Sequence, residues 1–198
     1  MTGNTVIDAC LRYGPKALAA STADRQVPFD AFALATAHRA ENVDNPAVLR
    51  QLFTILTECP LPVVYPIHPR TRMRFREAGL ERDLIESKNV ALLPPVGYFD
   101  FLALLMRCSF VLTDSGGIQE EATAPNIRKK VFVLRESTER PEAVEAGYAE
   151  VLGTDARTVL DRVRRFMEES WAPANACPFG DGTAGRRIVE ALNVPTRP

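Results

Sequence analysis

The sequence is short of several things, and each shortage narrows its chemistry before any motif is read. It has only two histidines, and its four cysteines (Cys10, Cys59, Cys108 and Cys177) are scattered with no CxxC pair. Zinc sites draw on clustered Cys and His, so no metal site is expected, and isolated thiols fit a reducing cytoplasm better than a disulfide framework. No apolar run approaches the roughly 20 residues that cross a bilayer, and no basic-then-apolar leader opens the chain, so no membrane partner is expected. Charge of one sign is also missing: 24 Lys and Arg stand against 25 Asp and Glu, a formal net charge of −1. A chain so balanced offers no cationic field to recruit nucleic acid. What remains is an ordinary globular composition, 46% hydrophobic and 25% charged over 198 residues, enough for one domain with a substantial core.

The patterning beyond residue 30 alternates short apolar runs with helical periodicity. Residues 30–37 (DAFALATA), 61–67, 89–93, 110–113, 131–134 and 148–152 read as six strands. Between them, Asn45 supplies an N-cap and Pro46 a first helical position, followed by Val48, Leu49, Leu52, Ile55 and Leu56 on one apolar face. Residues 70–80 form a charged helix, 101–106 a short one, and another begins near Gly116. Thr154 is expected to cap a helix whose apolar face is Val159, Leu160, Val163, Phe166 and Met167. Strands each followed by a helix predict an α/β fold with helices on both faces of a parallel sheet. Short connections and right-handed crossovers favour the doubly wound, Rossmann-like order. Two segments stand outside this alternation. Residues 5–13 read as a helix with Thr5 and Asp8 in a capping-box variant, and the turn-rich 178–182 leads into a last helix.

In such a sheet, ligands sit beyond the carboxyl ends of the strands. His38-Arg39, His68, Asp114-Ser115-Gly116-Gly117 and Arg135 each follow a strand, and four polar groups on one rim argue for a site. DSGGIQEE (114–121) is the strongest element: a strand, a Ser-Gly-Gly turn and a helix start present unpaired N–H groups and a positive dipole end to an anion. Glu120 and Glu121, about one turn in, could accept the hydroxyls of a ribose. The same residues also make a plain capped helix. The element is neither a Walker loop nor a dinucleotide fingerprint, so ATP and NAD are disfavoured. His38 and Arg39 offer a titratable group and a fixed cation for a diphosphate, or else polar loop residues. His68 fits a site or a purely orienting role. Arg135, ahead of Glu136, Glu139, Arg140 and Glu142, fits a phosphate contact or a salt-bridge lattice. Tyr98, Phe99 and Phe101 border a base or fill helix core.

Read together, TGNTVIDA (2–9), TAHRAEN (36–42), VYPIHP (64–69), LTDSGGIQEEA (112–122), LRESTERPEAVEAG (134–147) and PFGDG (178–182) resemble the non-hydrolysing UDP-N-acetylglucosamine 2-epimerases, over nearly the whole chain. That family has two Rossmann-like domains facing each other across a cleft, an arrangement shared with glycosyltransferases of the B type. It inverts C2 of UDP-N-acetylglucosamine by eliminating UDP and adding it back across a glycal. The resemblance covers the second domain only. It implies a connecting helix and linker at 1–25, a UDP-binding domain at 26–175, and a crossing helix and tail at 176–198. It implies a catalytic role for His38, phosphate contacts from Ser115, Gly116, Gly117 and Arg135, a ribose contact from Glu121, and a place beside uracil for Phe101. No cofactor is implied. The carboxylates that work as acid and base at C2 belong to the other domain, so the partner expected is a separate first domain together with UDP or a UDP-sugar. The isolated chain is expected to bind UDP weakly without turnover.

Departures from the family pattern are Ala37 and Ala40 around the His-Arg pair, and Arg128-Lys129-Lys130 where Gly-Lys-Pro is usual. Without a first domain, Ile188, Val189 and Leu192 of the last helix need other cover, such as a second copy of the chain. Half of a related glycosyltransferase and a non-catalytic nucleotide-sugar-binding module are the competing readings. RESTERPE favours the epimerase over the former.

Overall fold

Strand order carries most of what the fold does for the site. The computed structural model describes residues 2–173 and 175–193, and its single sheet runs β3-β2-β1-β4-β5-β6, every pairing parallel. The strands are β1 (Ala33–Thr36), β2 (Val63–Pro66), β3 (Val90–Leu93), β4 (Phe110–Thr113), β5 (Lys130–Val133) and β6 (Ala149–Val151). The chain starts mid-sheet, winds to one edge, returns to the centre and winds to the other edge, which is the doubly wound Rossmann order expected from the sequence. Its helices are α1 (Thr5–Ala20), α2 (Ala40–Val43), α3 (Pro46–Glu58), α4 (Pro69–Glu77), α5 (Glu81–Glu86), α6 (Tyr98–Arg107), α7 (Gly116–Glu121), α8 (Pro141–Glu145), α9 (Ala156–Glu168) and α10 (Ala184–Leu192).

Every residue of β1, β4 and β5 is buried, as a sheet covered on both faces requires. Side chains alternate between the two layers. Phe110, Leu112 and Phe132 enter one core with Leu49, Leu52, Ile55 and Leu56 of α3 and Val159, Leu160 and Val163 of α9. Leu34, Val111, Val131 and Val133 enter the other with Ile7, Cys10 and Ala17 of α1 and Leu102–Leu105 of α6. In the first layer the rings of Phe110, Phe132 and Phe166 meet edge to face at 5.3–5.7 Å, an arrangement that satisfies their quadrupoles as well as their area.

Local chemistry shifts several expected boundaries. The charged helix stops at Glu77 because Gly79 takes φ +72°, and a separate α5 follows. The first helix runs past Tyr13 and through Pro15 to Ala20. Tertiary packing overrides the Gly14-Pro15 punctuation there: a Cβ on Gly14 would sit 2.4 Å from Asn126 Nδ2, whose amide donates to the Cys10 carbonyl at 2.9 Å. The N-cap of α1 is Asn4, which accepts from Val6 N at 3.0 Å, and not a Thr5–Asp8 box. Asp8 instead caps α10 across the fold, accepting from Ala184 N and Gly185 N at 3.1 and 2.9 Å. Asp155 rather than Thr154 caps α9, taking the Thr158 N–H at 2.9 Å. Met167 of that helix faces outward. On α10, Val189 and Leu192 are 57% and 79% exposed; the tail beyond Asn193 lies outside the described residues.

Candidate functional site

β1 and β4 lie side by side, yet the chain leaves β1 toward β2 and leaves β4 toward β5. The loops after them therefore diverge and open a crevice at the switch point. One buried carboxylate ties its two walls together. Asp114, fully buried after β4, accepts through Oδ2 from the backbone N–H groups of His38 and Arg39, both at 2.9 Å, and from Asn42 Nδ2 at 3.1 Å. Asn42 also donates to the Leu134 carbonyl at 2.9 Å, so the ends of β1, β4 and β5 share one network. Beneath it the Thr36 and Thr113 hydroxyls meet at 2.6 Å, and the Ala37 carbonyl accepts from Tyr65 and Thr71 at 2.9 and 2.8 Å. Buried hydrogen-bond networks of this kind fix loop geometry.

His38 stands on that platform with its ring 46% exposed and its Nδ1 3.5 Å from Asp114 Oδ1. The His68 ring lies 6.0 Å away. His68 itself is the N-cap of α4, its Nδ1 accepting from Arg70 N at 3.2 Å, which is the orienting role. The two histidines, Phe101, Ile118 and Pro95 line a hollow of about 210 Å³. Adjoining it is a second hollow of about 320 Å³ lined by Tyr98, Phe101, Ser115, Gly117, Ile118 and Glu121. Phe101, Ser115, Gly117 and Glu121, singled out from the sequence, thus come together, with His38 next to them.

Ser115 holds the N-cap position of α7 without a side-chain cap bond. The N–H groups of the first turn point beyond the helix. Gly116 and Gly117 do not need left-handed backbone, since neither is among the positive-φ residues. Gly116 matters for close approach: a Cβ there would lie 2.7 Å from Glu139 Oε1. The two glutamates that follow part company. Glu120 pairs with Arg140 and accepts from Asn4 Nδ2 at 3.0 Å, whereas Glu121 faces the hollow. Burial, helped by the neighbouring Glu120 charge, pushes the Glu121 carboxyl up to about 7, a protonation state unusual for a glutamate near neutrality.

Arg135 lines a different hollow with Glu41 and Asn42. Its side chain, 14% exposed, pairs with Glu139 and with Glu41, and Glu139 Oε1 also takes Arg39 Nη2 at 2.5 Å. The salt-bridge lattice is therefore present, and a single carboxylate spans the two guanidiniums directly over Gly116. Arg135, through its hydrogen bond, and Arg39 hold the Glu139 carboxyl down to about 2. The part played by Glu139 was not legible beforehand, and neither was Asp114 as hub. For Asp114 the available signal was an acidic residue set between a fully buried strand and a Ser-Gly-Gly turn. Among the described residues no cluster of three His, Cys, Asp or Glu side chains is arranged to hold a metal ion, and no helix is long and apolar enough to cross a membrane.

The sequence model of the UDP-N-acetylglucosamine 2-epimerase family matches residues 1–193. The chain belongs to this family. It is 35% identical to the UDP-N-acetylglucosamine 2-epimerase of Methanocaldococcus jannaschii over 97% of its own length and 54% of the relative's. With the Bacillus subtilis enzyme of the same name it shares 38% identity over 97% and 51%. The crystal structure of the M. jannaschii epimerase in complex with UDP-GlcNAc and UDP superposes with a TM-score of 0.83 at 35% identity, covering 97% of this chain and 54% of that one. The chain spans about half the length of the curated epimerases it matches. One departure from the 2-epimerase pattern has a visible backbone cost. Arg128, one of the departures expected from the resemblance, is the one non-glycine residue with positive φ (51°) among those described, a conformation that disfavours side chains.

Proposed function

We propose that this chain is the UDP-binding half of a UDP-N-acetylglucosamine 2-epimerase, acting in a cytoplasmic UDP-sugar pool and needing a second Rossmann-like half for turnover. One observation carries the reading: Phe101, Ser115, Gly117 and Glu121 share one hollow at the β1/β4 switch point, with Tyr98 and Ile118 as its walls. Uracil packs on Phe101, and the ribose hydroxyls donate to Glu121. The diphosphate takes Ser115, the first N–H groups of α7, and the guanidiniums of Arg39 and Arg135. His38, beside this track, faces the oxygen that joins sugar and phosphate.

In the reaction a proton leaves C2 and the C1–O bond breaks with its electron pair going to the β-phosphate oxygen. A C1=C2 double bond forms, and re-addition of UDP with a proton delivered to the other face of C2 gives the epimer. Fixed cations and oriented N–H groups stabilise the charge that grows on departing UDP. Removal of the C2 proton needs a base. The rim carboxylates Glu41, Glu120 and Glu139 are engaged by arginines, Asp114 is buried, and Glu121 is given to the ribose in this reading; the resemblance to the 2-epimerases assigns the acid and base at C2 to the second half. Incubation of the purified chain with UDP-N-acetylglucosamine, followed by NMR of the anomeric protons, is expected to show no manno epimer. Steady conversion by these 198 residues alone would place acid and base within them and overturn the divided site.

A further inference from the structure

We infer that Asp114 is a positioning residue that holds neutral His38 in its Nδ1–H tautomer and turns the free Nε2 lone pair toward the ligand crevice. The relevance of Nε2 to a sugar diphosphate rests on the reading above; the tautomer does not. Three observations carry the inference. Asp114 is fully buried and its Oδ2 is committed to three N–H donors. Its other oxygen, Oδ1, is one of only two buried side-chain oxygen or nitrogen atoms without a hydrogen-bond partner among the described residues. The nearest ring nitrogen to that oxygen is Nδ1 of His38, at 3.5 Å.

A buried carboxylate oxygen left unpaired is costly, and a short rotation of the half-exposed ring provides its missing donor. Long contacts that tighten when ligand binds are usual in unliganded sites. Because the His38 and Arg39 N–H groups bind the same carboxylate from below, the loop cannot slide away from Oδ1. The ring is thus tethered to the group that selects its tautomer. A carboxylate only accepts, so Nδ1 must carry the proton and Nε2 is left as the acceptor. When Nε2 gains a proton, the imidazolium keeps its Nδ1–H on Asp114 and presents Nε2–H to a phosphate oxygen. A carboxylate orienting an imidazole in this way is a recurring catalytic device.

Asp114→Asn makes the test selective. The asparagine Oδ1 can retain the three N–H donors, while its Nδ2 faces the ring as a donor and demands an acceptor at Nδ1. With only two histidines in the chain, a His68→Asn control assigns the signals. Long-range ¹H–¹⁵N spectra of the ¹⁵N-labelled, ligand-free chain, at a pH where the ring is neutral, are expected to show Nδ1–H as the major form of His38. In Asp114→Asn the proton moves to Nε2, while the backbone amides of His38 and Arg39 stay in place. Nε2–H as the major form in the unmodified chain overturns the inference, and that arm needs no variant to fold. An unchanged tautomer in a folded Asp114→Asn chain overturns it equally. UDP titration of the unmodified chain separates failure of the binding reading from failure of this one.

Discussion

Glu121→Gln is expected to make the folded chain more stable by about 3 kcal/mol at pH 8 and to leave it nearly unchanged at pH 4. The folded-state carboxyl sits at about 7, mainly because it is buried and secondly because Glu120 lies beside it, against an ordinary value of 4.5. The raised value fixes the sign. Between pH 4.5 and 7 the unfolded chain has released this proton while the folded chain still holds it, so stability falls as pH rises through that window and levels off above it. Glutamine, which resembles the protonated acid, is spared the loss. Other carboxyls, such as Asp44 and Glu81, are held low by arginines and push the absolute curve the other way. The difference between the two proteins in urea unfolding is therefore the quantity to follow. A difference that does not change from pH 4 to pH 8 contradicts the burial of an uncompensated acid at this position. The same group adds a calorimetric signature. If ribose hydroxyls donate to the ionised carboxylate, UDP binding near pH 7 is expected to release more protons in the unmodified chain than in Glu121→Gln.

Arg135→Ala is expected to weaken UDP binding about 10- to 100-fold, the equivalent of a charge-assisted hydrogen bond, and to leave uridine binding unchanged. Arg135 is the better buried of the two rim guanidiniums, and its ion pairs with Glu139 and Glu41 already hold it at the strand end. A diphosphate bound at this rim would meet it in place, with little side-chain entropy left to lose. It must also compete with the Glu139 carboxylate, which already spans Arg39 and Arg135, so the gain stays below that of two free cations. Arg82→Ala, removing a guanidinium that is 84% exposed and paired with Glu86 on its own helix, is the matched control and is expected to have no effect. Equal losses of UDP and uridine in Arg135→Ala would point to a damaged fold rather than a lost phosphate contact.

The sheet was legible because β4 and β5 are buried on both faces, which leaves continuous apolar runs bounded by polar turns; β4 falls on the same four residues in sequence and structure. Boundaries slipped where a backbone or tertiary feature outranked periodicity, as at Gly79, at Pro15 inside α1, and at the flank of β1, which begins at Ala33 rather than at residue 30. Caps were misassigned where two candidates adjoined: Asn4 and Thr5 at one helix, Thr154 and Asp155 at another. At the site, residue type and strand-end position were enough to nominate His38, Ser115 and Arg135, but left Glu120 and Glu121 undivided; the family resemblance chose Glu121. Which partner each one faces was not readable, because it depends on contacts far apart in the chain. Asp114 reaches the His38 backbone across 76 residues and Arg39 reaches Glu139 across 100. Glu120 and Glu121, adjacent and alike in sequence, take opposite fates for the same reason, one neutralised by Arg140 and the other left in the hollow.

Isothermal titration of UDP into the purified chain, with uridine as control, tests the central claim most directly. If the strand-end rim is a preformed diphosphate site, UDP binds at least about tenfold more tightly than uridine, in keeping with one or more charge-assisted phosphate contacts. Equal binding of the two, or no heat from UDP, would contradict it.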